Sequence, residues 1–111
     1  MAYIIVFMWF PHHKSPEFSV IAEKVIGKIY PTSDDLDLGI NTLPTAFTSD
    51  KEGIFSITAF EPKEGKMGEF LARLTDILGY YHSIEGLRYE IKTFSTMEEY
   101  IHNKNLSKTF K

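Results

Sequence analysis

Two hydrophobic periods alternate along this chain, and the changes of period mark its elements. Residues 2–10, Ala2-Tyr3-Ile4-Ile5-Val6-Phe7-Met8-Trp9-Phe10, form an unbroken apolar run rich in β-branched and aromatic side chains, halted by Pro11. This is the pattern of a buried strand. A helical period follows: Ser15 suits an N-cap, Pro16 the first helical position and Glu17 the positive helix start. Phe18, Ile21, Ala22, Val25 and Ile29 make one apolar stripe, which Pro31 stops near Tyr30. Residues 32–39 are polar and acidic and read as a loop. Two strand-like runs, 40–48 and 53–61, are then joined by Ser49-Asp50-Lys51-Glu52, a hairpin. Pro44 lies inside the first run and has no N–H for a ladder, so that strand belongs at a sheet edge.

Met67, Phe70, Leu71, Leu74, Ile77, Leu78 and Tyr81 share one helical face, with Glu69, Arg73 and Asp76 opposite. Strand alternation returns after Gly86, setting Leu87, Tyr89 and Ile91 against Arg88, Glu90 and Lys92. Ser95 and Glu98 have capping-box spacing and open a short C-terminal helix from 96 to about 102. His102 falls on its surface, and Lys104, Lys108 and Lys111 form a frayed end. The order β-α-β-β-α-β defines a single α+β domain over residues 1–111. It is the pattern of a ferredoxin-like sandwich, an antiparallel sheet in order 4-1-3-2 with both helices on one face.

The other face of such a sheet meets water and should be polar. Strand 4 fits, with Arg88, Glu90 and Lys92 outward, and Ser56 and Thr58 are assigned outward on strand 3. Strand 1 does not fit, because Tyr3, Ile5, Phe7 and Trp9 line one face while Ile4, Val6, Met8 and Phe10 line the other. A central strand apolar on both faces needs a second cover; the terminal helix can shield part of it, and the commoner solution, a homodimer through the sheet face, is the one expected. With these features the chain resembles the dimeric α+β barrel superfamily, in which two ferredoxin-like subunits pack sheet to sheet. The resemblance implies a homodimer and a small-molecule pocket between each sheet and its helices. Members of that superfamily include cofactor-independent monooxygenases acting on quinols, haem-degrading enzymes, lactone isomerases and ligand-sensing domains. The haem-degrading members pair an asparagine, a tryptophan and a histidine. Trp9, Asn41 and the histidines of this chain do not align with that pattern, so no role is carried over.

Composition removes several chemistries. The 111 residues hold 12 Lys+Arg against 15 Asp+Glu, a net charge of −3, and no cysteine. Disulfides, thiolate metal sites, iron–sulfur clusters and cysteine nucleophiles are excluded. The acidity disfavours a broad phosphate-binding surface, and residues 54–60 lack the Lys and Arg of an RNA-stacking strand, so no nucleic acid partner is expected. The glycines form no dinucleotide or phosphate-loop motif, and no G-x-S-x-G or H-E-x-x-H occurs. Asp35, Asp37 and Gly39, preceded by Asp34, have D-x-D-x-G spacing without the closing ligands of a calcium loop, a solvated turn. No cofactor or metal is called for. The first apolar run is far short of the roughly 20 residues of a spanning helix and lacks a signal-peptide pattern. The location expected is cytoplasmic, with no membrane partner.

The topology gathers the end of strand 1, the hairpin and the end of the second long helix at one rim. Trp9, His12, His13, the turn at 50–52, Tyr80, Tyr81, His82 and Glu85 meet there. Histidine titrates near neutrality, so His12, His13 and His82 are the candidate catalytic residues. Adjacent loop histidines are ordinarily solvated, however, and His82 at a helix C-terminus complements the dipole without any chemistry. Trp9, Tyr81 and Tyr89 are the candidate ligand-binding aromatics, although a small core and an interface also use aromatics for area. The function expected is binding of a small apolar or aromatic molecule between sheet and helices. The alternative is a cofactor-independent monooxygenase or isomerase with a rim histidine as general base.

Overall fold

A computed structural model describes residues 2–99 and 101. Strand β1 (Ala2–Phe10) is followed by a 3-10 turn (His12–Lys14) and helix α1 (Ser15–Lys24). A π-helical turn (Val25–Ile29) continues α1, then come α2 (Ser33–Leu38), β2 (Gly39–Ser49), β3 (Ile54–Pro62), α3 (Met67–Gly79) and β4 (Arg88–Ser95). The four strands form one sheet in the order β2-β3-β1-β4, with antiparallel neighbours throughout. No helix of the described residues is long and apolar enough to cross a membrane.

Helix starts and ends depart from expectation at three places. Ser15 is already helical; Lys14 occupies the cap position without a side-chain bond, because the preceding 3-10 turn leads straight into α1. Residues 32–39 are not a loop. Thr32 and Asp35 form a reciprocal capping box that starts α2, Thr32 N–H donating to Asp35 Oδ2 (2.9 Å) and Asp35 N–H to Thr32 Oγ1 (3.2 Å). The C-terminal capping box is displaced by one residue. Ser95 is still paired with Ala2 in the β1–β4 ladder, so Thr96 is the first residue free to cap, and it does so reciprocally with Glu99. Residues 97–99 and 101 are helical; His102 and Lys104, Lys108 and Lys111 lie outside the described residues.

The inner face of β1 supplies Ile4, Val6, Met8 and Phe10, all buried with Phe70, Leu74, Ile77 and Leu78 of α3. On the outer face Phe7, Trp9 and Phe55 stack, with ring centroids 5.1–6.3 Å apart. The assignment of Ser56 and Thr58 to the outer face is corrected by register. Ser56 pairs with Met8 and Thr58 with Val6, which places both on the helix side. Phe55, Ile57 and Ala59 stand outward instead, beside Trp9, Phe7 and Ile5. The outer face is therefore more apolar than the sequence alone suggested, and nothing in the described residues covers Ile40 or Leu43 on it, which are 50% and 41% exposed.

Strand β2 is exposed along all but its first residue, and its pairing with β3 shifts register on either side of Leu43, next to Pro44. Gly39 anchors its buried start. A Cβ there would overlap the Phe70 ring, the Glu61 carbonyl and Pro62 Cα. At the hairpin, Asp50 Oδ1 accepts from the N–H groups of Glu52 and Gly53 (2.8 and 3.2 Å) and the Asp50 N–H bonds back to the Gly53 carbonyl (3.0 Å).

Candidate functional site

Helix α3 covers the β1 side of the sheet, while α1 and its π-helical extension stand over β3 and β2. Between them lies a cavity of about 1130 Å³. Its floor is the inner sheet face: Val6 and Met8 of β1, Ser56, Thr58 and Phe60 of β3, and Asn41, Thr45 and Phe47 of β2. Its roof is Phe18, Ala22, Val25 and Ile26, and its back wall Leu74, Ile77, Leu78 and Tyr81. Ile26, Leu36 and Phe47 line it yet are more than half exposed, so the mouth is apolar.

Aromatic rings close both ends. Phe18 stacks on Phe10 (4.3 Å) and on Tyr81 (5.2 Å) and meets Phe47 edge-on (5.8 Å). At the other end Tyr30 meets Phe60 edge-on at 6.2 Å. Such pairs favour flat or apolar guests over water. Polar groups are few and concentrated on the floor. Thr45 and Thr58 hydroxyls bond each other (2.8 Å), and Asn41 Nδ2 donates to the carbonyls of Leu43 and Ala59 (2.8 and 2.7 Å), leaving its oxygen as the unused group. Ser56 is 3% exposed, and its hydroxyl has no hydrogen-bond partner among the described residues. Burial raises the Tyr81 phenol above its ordinary value, so it stays protonated. Burial, then the Asp35 charge, raise Tyr30 likewise, against the opposing pull of Arg73.

The far wall of the cavity is held by a buried ion pair. Arg73 Nε–H donates to Asp35 Oδ1 at 2.7 Å, while Nη2–H donates to Asp35 Oδ2 (3.2 Å) and to the Ile29 carbonyl (2.8 Å). One guanidinium thus ties α3 to α2 and satisfies a carbonyl at the end of the π-helical turn. Burial alone would raise the Asp35 carboxyl; bonds from Arg73 and Thr32 outweigh it and hold the group below its ordinary 3.8. Asp35 is 3% exposed, a structural anion and not part of a solvated turn. The described residues contain no group of three or more His, Cys, Asp or Glu placed to hold a metal ion.

Of the candidate catalytic and ligand-binding residues, only Tyr81 lines the cavity. Trp9 lies on the outer sheet face, where the Arg88 guanidinium sits 4.5 Å over its ring. Tyr89 is on the helix side but beyond the cavity, its ring stacked on His82 (5.9 Å) with His82 Nε2 3.4 Å from its hydroxyl. The rim histidines do not converge. His12 Nε2–H donates to the Asp50 carbonyl (2.5 Å), fastening the β1 end to the hairpin, while His13 and His82 are exposed. None of the three lines the cavity. Ser56 and Thr58 were missed because alternation was assigned to the wrong side, Phe18 because its helical stripe reads as ordinary core, and Phe47 because the run 40–48 does not by itself say which side meets the helices.

No protein-family model matches this chain, and no curated protein matches it. Among solved structures it is similar to the de novo designed protein Foldit4, at 8% identity and a TM-score of 0.52. The match covers 86% of this chain and 97% of that one. A likeness at that identity speaks for the fold alone, a mixed α+β domain with a four-stranded antiparallel sheet.

Proposed function

We propose that the protein binds a small apolar molecule in the cavity between sheet and helices, and does so as a homodimer. The observation that carries the reading is the cavity itself. It holds about 1130 Å³ behind an apolar mouth, with aromatic rings at both ends and no histidine, lysine or arginine in its lining. A cleft of this size lined mainly by apolar side chains is a place for a guest. The alternative, a rim histidine acting as general base, draws no support from a geometry in which His12, His13 and His82 all stand outside the cavity.

The ferredoxin-like reading draws support from the strand order, which runs 4-1-3-2 from the β4 edge, and from α1 and α3 on one face. Two such subunits facing outer sheet to outer sheet would cover Phe7, Trp9, Phe55, Ile57, Ile40 and Leu43. The β4 row Arg88, Glu90 and Lys92 carries both signs and so can meet its own copy across a twofold axis. The test is titration with Nile red, an uncharged apolar fluorophore, against the protein and Ser19→Trp. Ser19 is exposed and lines the cavity, so a bulky ring there occupies space without disturbing the core. Saturable binding lost in the variant supports the proposal; equal binding by both overturns it. Sedimentation equilibrium should give twice the 12.8 kDa chain mass, and a monomer would remove the dimer.

A further inference from the structure

We propose that the cavity selects uncharged apolar molecules bearing a hydrogen-bond acceptor such as a ketone oxygen, held by the hydroxyl of Ser56; this rests on the binding reading above. Ser56 is 97% removed from solvent, in the middle of the cavity floor between Met8 of β1 and Phe47 of β2. Its side chain makes no hydrogen bond among the described residues, yet no buried polar side-chain atom among them is sealed off without a partner. The hydroxyl therefore opens onto the cavity. A wholly hydrocarbon guest covers it and leaves it unpaired, which costs free energy. A guest with a carbonyl oxygen at that point replaces the lost water.

A negative charge is excluded by a separate argument. The lining holds no cation, and its one carboxylate, Glu23, lies exposed on α1. A carboxylate guest would surrender its hydration to a few hydroxyls without a counter-charge, and desolvating an unpaired ion is far costlier than desolvating a ketone. The Tyr81 hydroxyl of the back wall is kept protonated by burial and is a donor too. Apolar walls thus provide affinity, and a donor without a neighbouring cation determines which polar group the guest carries.

The experiment uses three naphthalenes with one ring system and small 2-substituents: 2-acetylnaphthalene, 2-ethylnaphthalene and 2-naphthoate, titrated by calorimetry against the full chain and Ser56→Ala. The ketone should bind about five- to tenfold more tightly than the ethyl compound, the effect of one hydrogen bond. Naphthoate should bind weakest. In Ser56→Ala the ketone should lose that advantage while the ethyl compound binds at least as well, which also reports an intact cavity. Equal affinity of ketone and ethyl compound in the wild type overturns the inference and leaves apolar binding standing. So does a ketone preference that survives Ser56→Ala, or tightest binding of naphthoate. If Ser56→Ala does not fold, the wild-type ketone-to-ethyl ratio decides. Failure of all three probes to bind removes the binding reading along with the inference.

Discussion

Replacing Arg73 by methionine isolates the interaction that holds the far wall of the cavity. The substitution keeps an unbranched apolar stem and removes three hydrogen bonds at once, two to Asp35 and one to the Ile29 carbonyl. What it leaves is a carboxylate 3% exposed with only Thr32 to bond it. Deleting one partner of a buried ion pair costs about 3–5 kcal/mol. The lower end applies, since the Arg73 side chain is 27% exposed and Thr32 goes on donating. A loss of about 3 kcal/mol corresponds to a melting temperature lower by roughly 10–15 °C. Urea unfolding followed by circular dichroism measures it, with the midpoint falling and the slope unchanged. The pH dependence gives the sign independently. Asp35 titrates below its ordinary 3.8 in the folded protein, so the pair's contribution is fully present above that value. It is lost as pH falls through the lower folded value, because the unfolded chain takes up the proton first and the folded carboxylate must finally be protonated as well. Wild type and variant should accordingly begin to converge below pH 3.8 and meet below the folded value. A variant within about 0.5 kcal/mol of wild type at neutral pH, the range of ordinary surface changes, refutes the reasoning. A gap that stays constant down to pH 2 refutes it too.

Three further outcomes follow from packing and from the rim. Gly39→Ala places a methyl against the Phe70 ring, the Glu61 carbonyl and Pro62, and overpacking of this kind costs about 1–3 kcal/mol in urea unfolding. Ile4→Ala empties a position with 0% exposure at the centre of the core and should cost about 2–5 kcal/mol by the same assay. His12→Ala removes one exposed bond between β1 and the hairpin. It should lower stability by no more than about 1 kcal/mol and leave Nile red affinity unchanged; a loss of binding would return the rim histidines to the site.

Periodicity was a sound guide wherever one element's own pattern carried the information. The α3 stripe from Met67 through Leu78 points inward as its spacing requires, because a helix of that amphipathicity has one way to bury its apolar side. Pro44 sits on the edge strand β2, since the missing N–H bars it from a central position. The two-faced apolar character of β1 is likewise there in the residue order alone. The candidate site was less legible. Tyr81 was found from the α3 stripe, but Trp9 and Tyr89 went elsewhere, and the rim histidines meet the hairpin carbonyl, a tyrosine ring or solvent, none of them the cavity.

What lay beyond the sequence depended on partners far along the chain. Strand alternation divides Phe55, Ile57 and Ala59 from Ser56 and Thr58, yet it cannot say which set meets the helices. Pairing with Val6 and Met8 decides that, and a register one residue away would reverse it. Asp35 read as a solvated acid until Arg73, 38 positions later, turned it into a buried anchor. The cavity is a property of no single element. It exists because α1 and the sheet floor stand apart while Arg73 fixes the segment between them, and only tertiary contacts set that distance. Local sequence thus determined the elements and the two-faced first strand; register and a long-range ion pair determined which hydroxyl faces the space where a guest would lie.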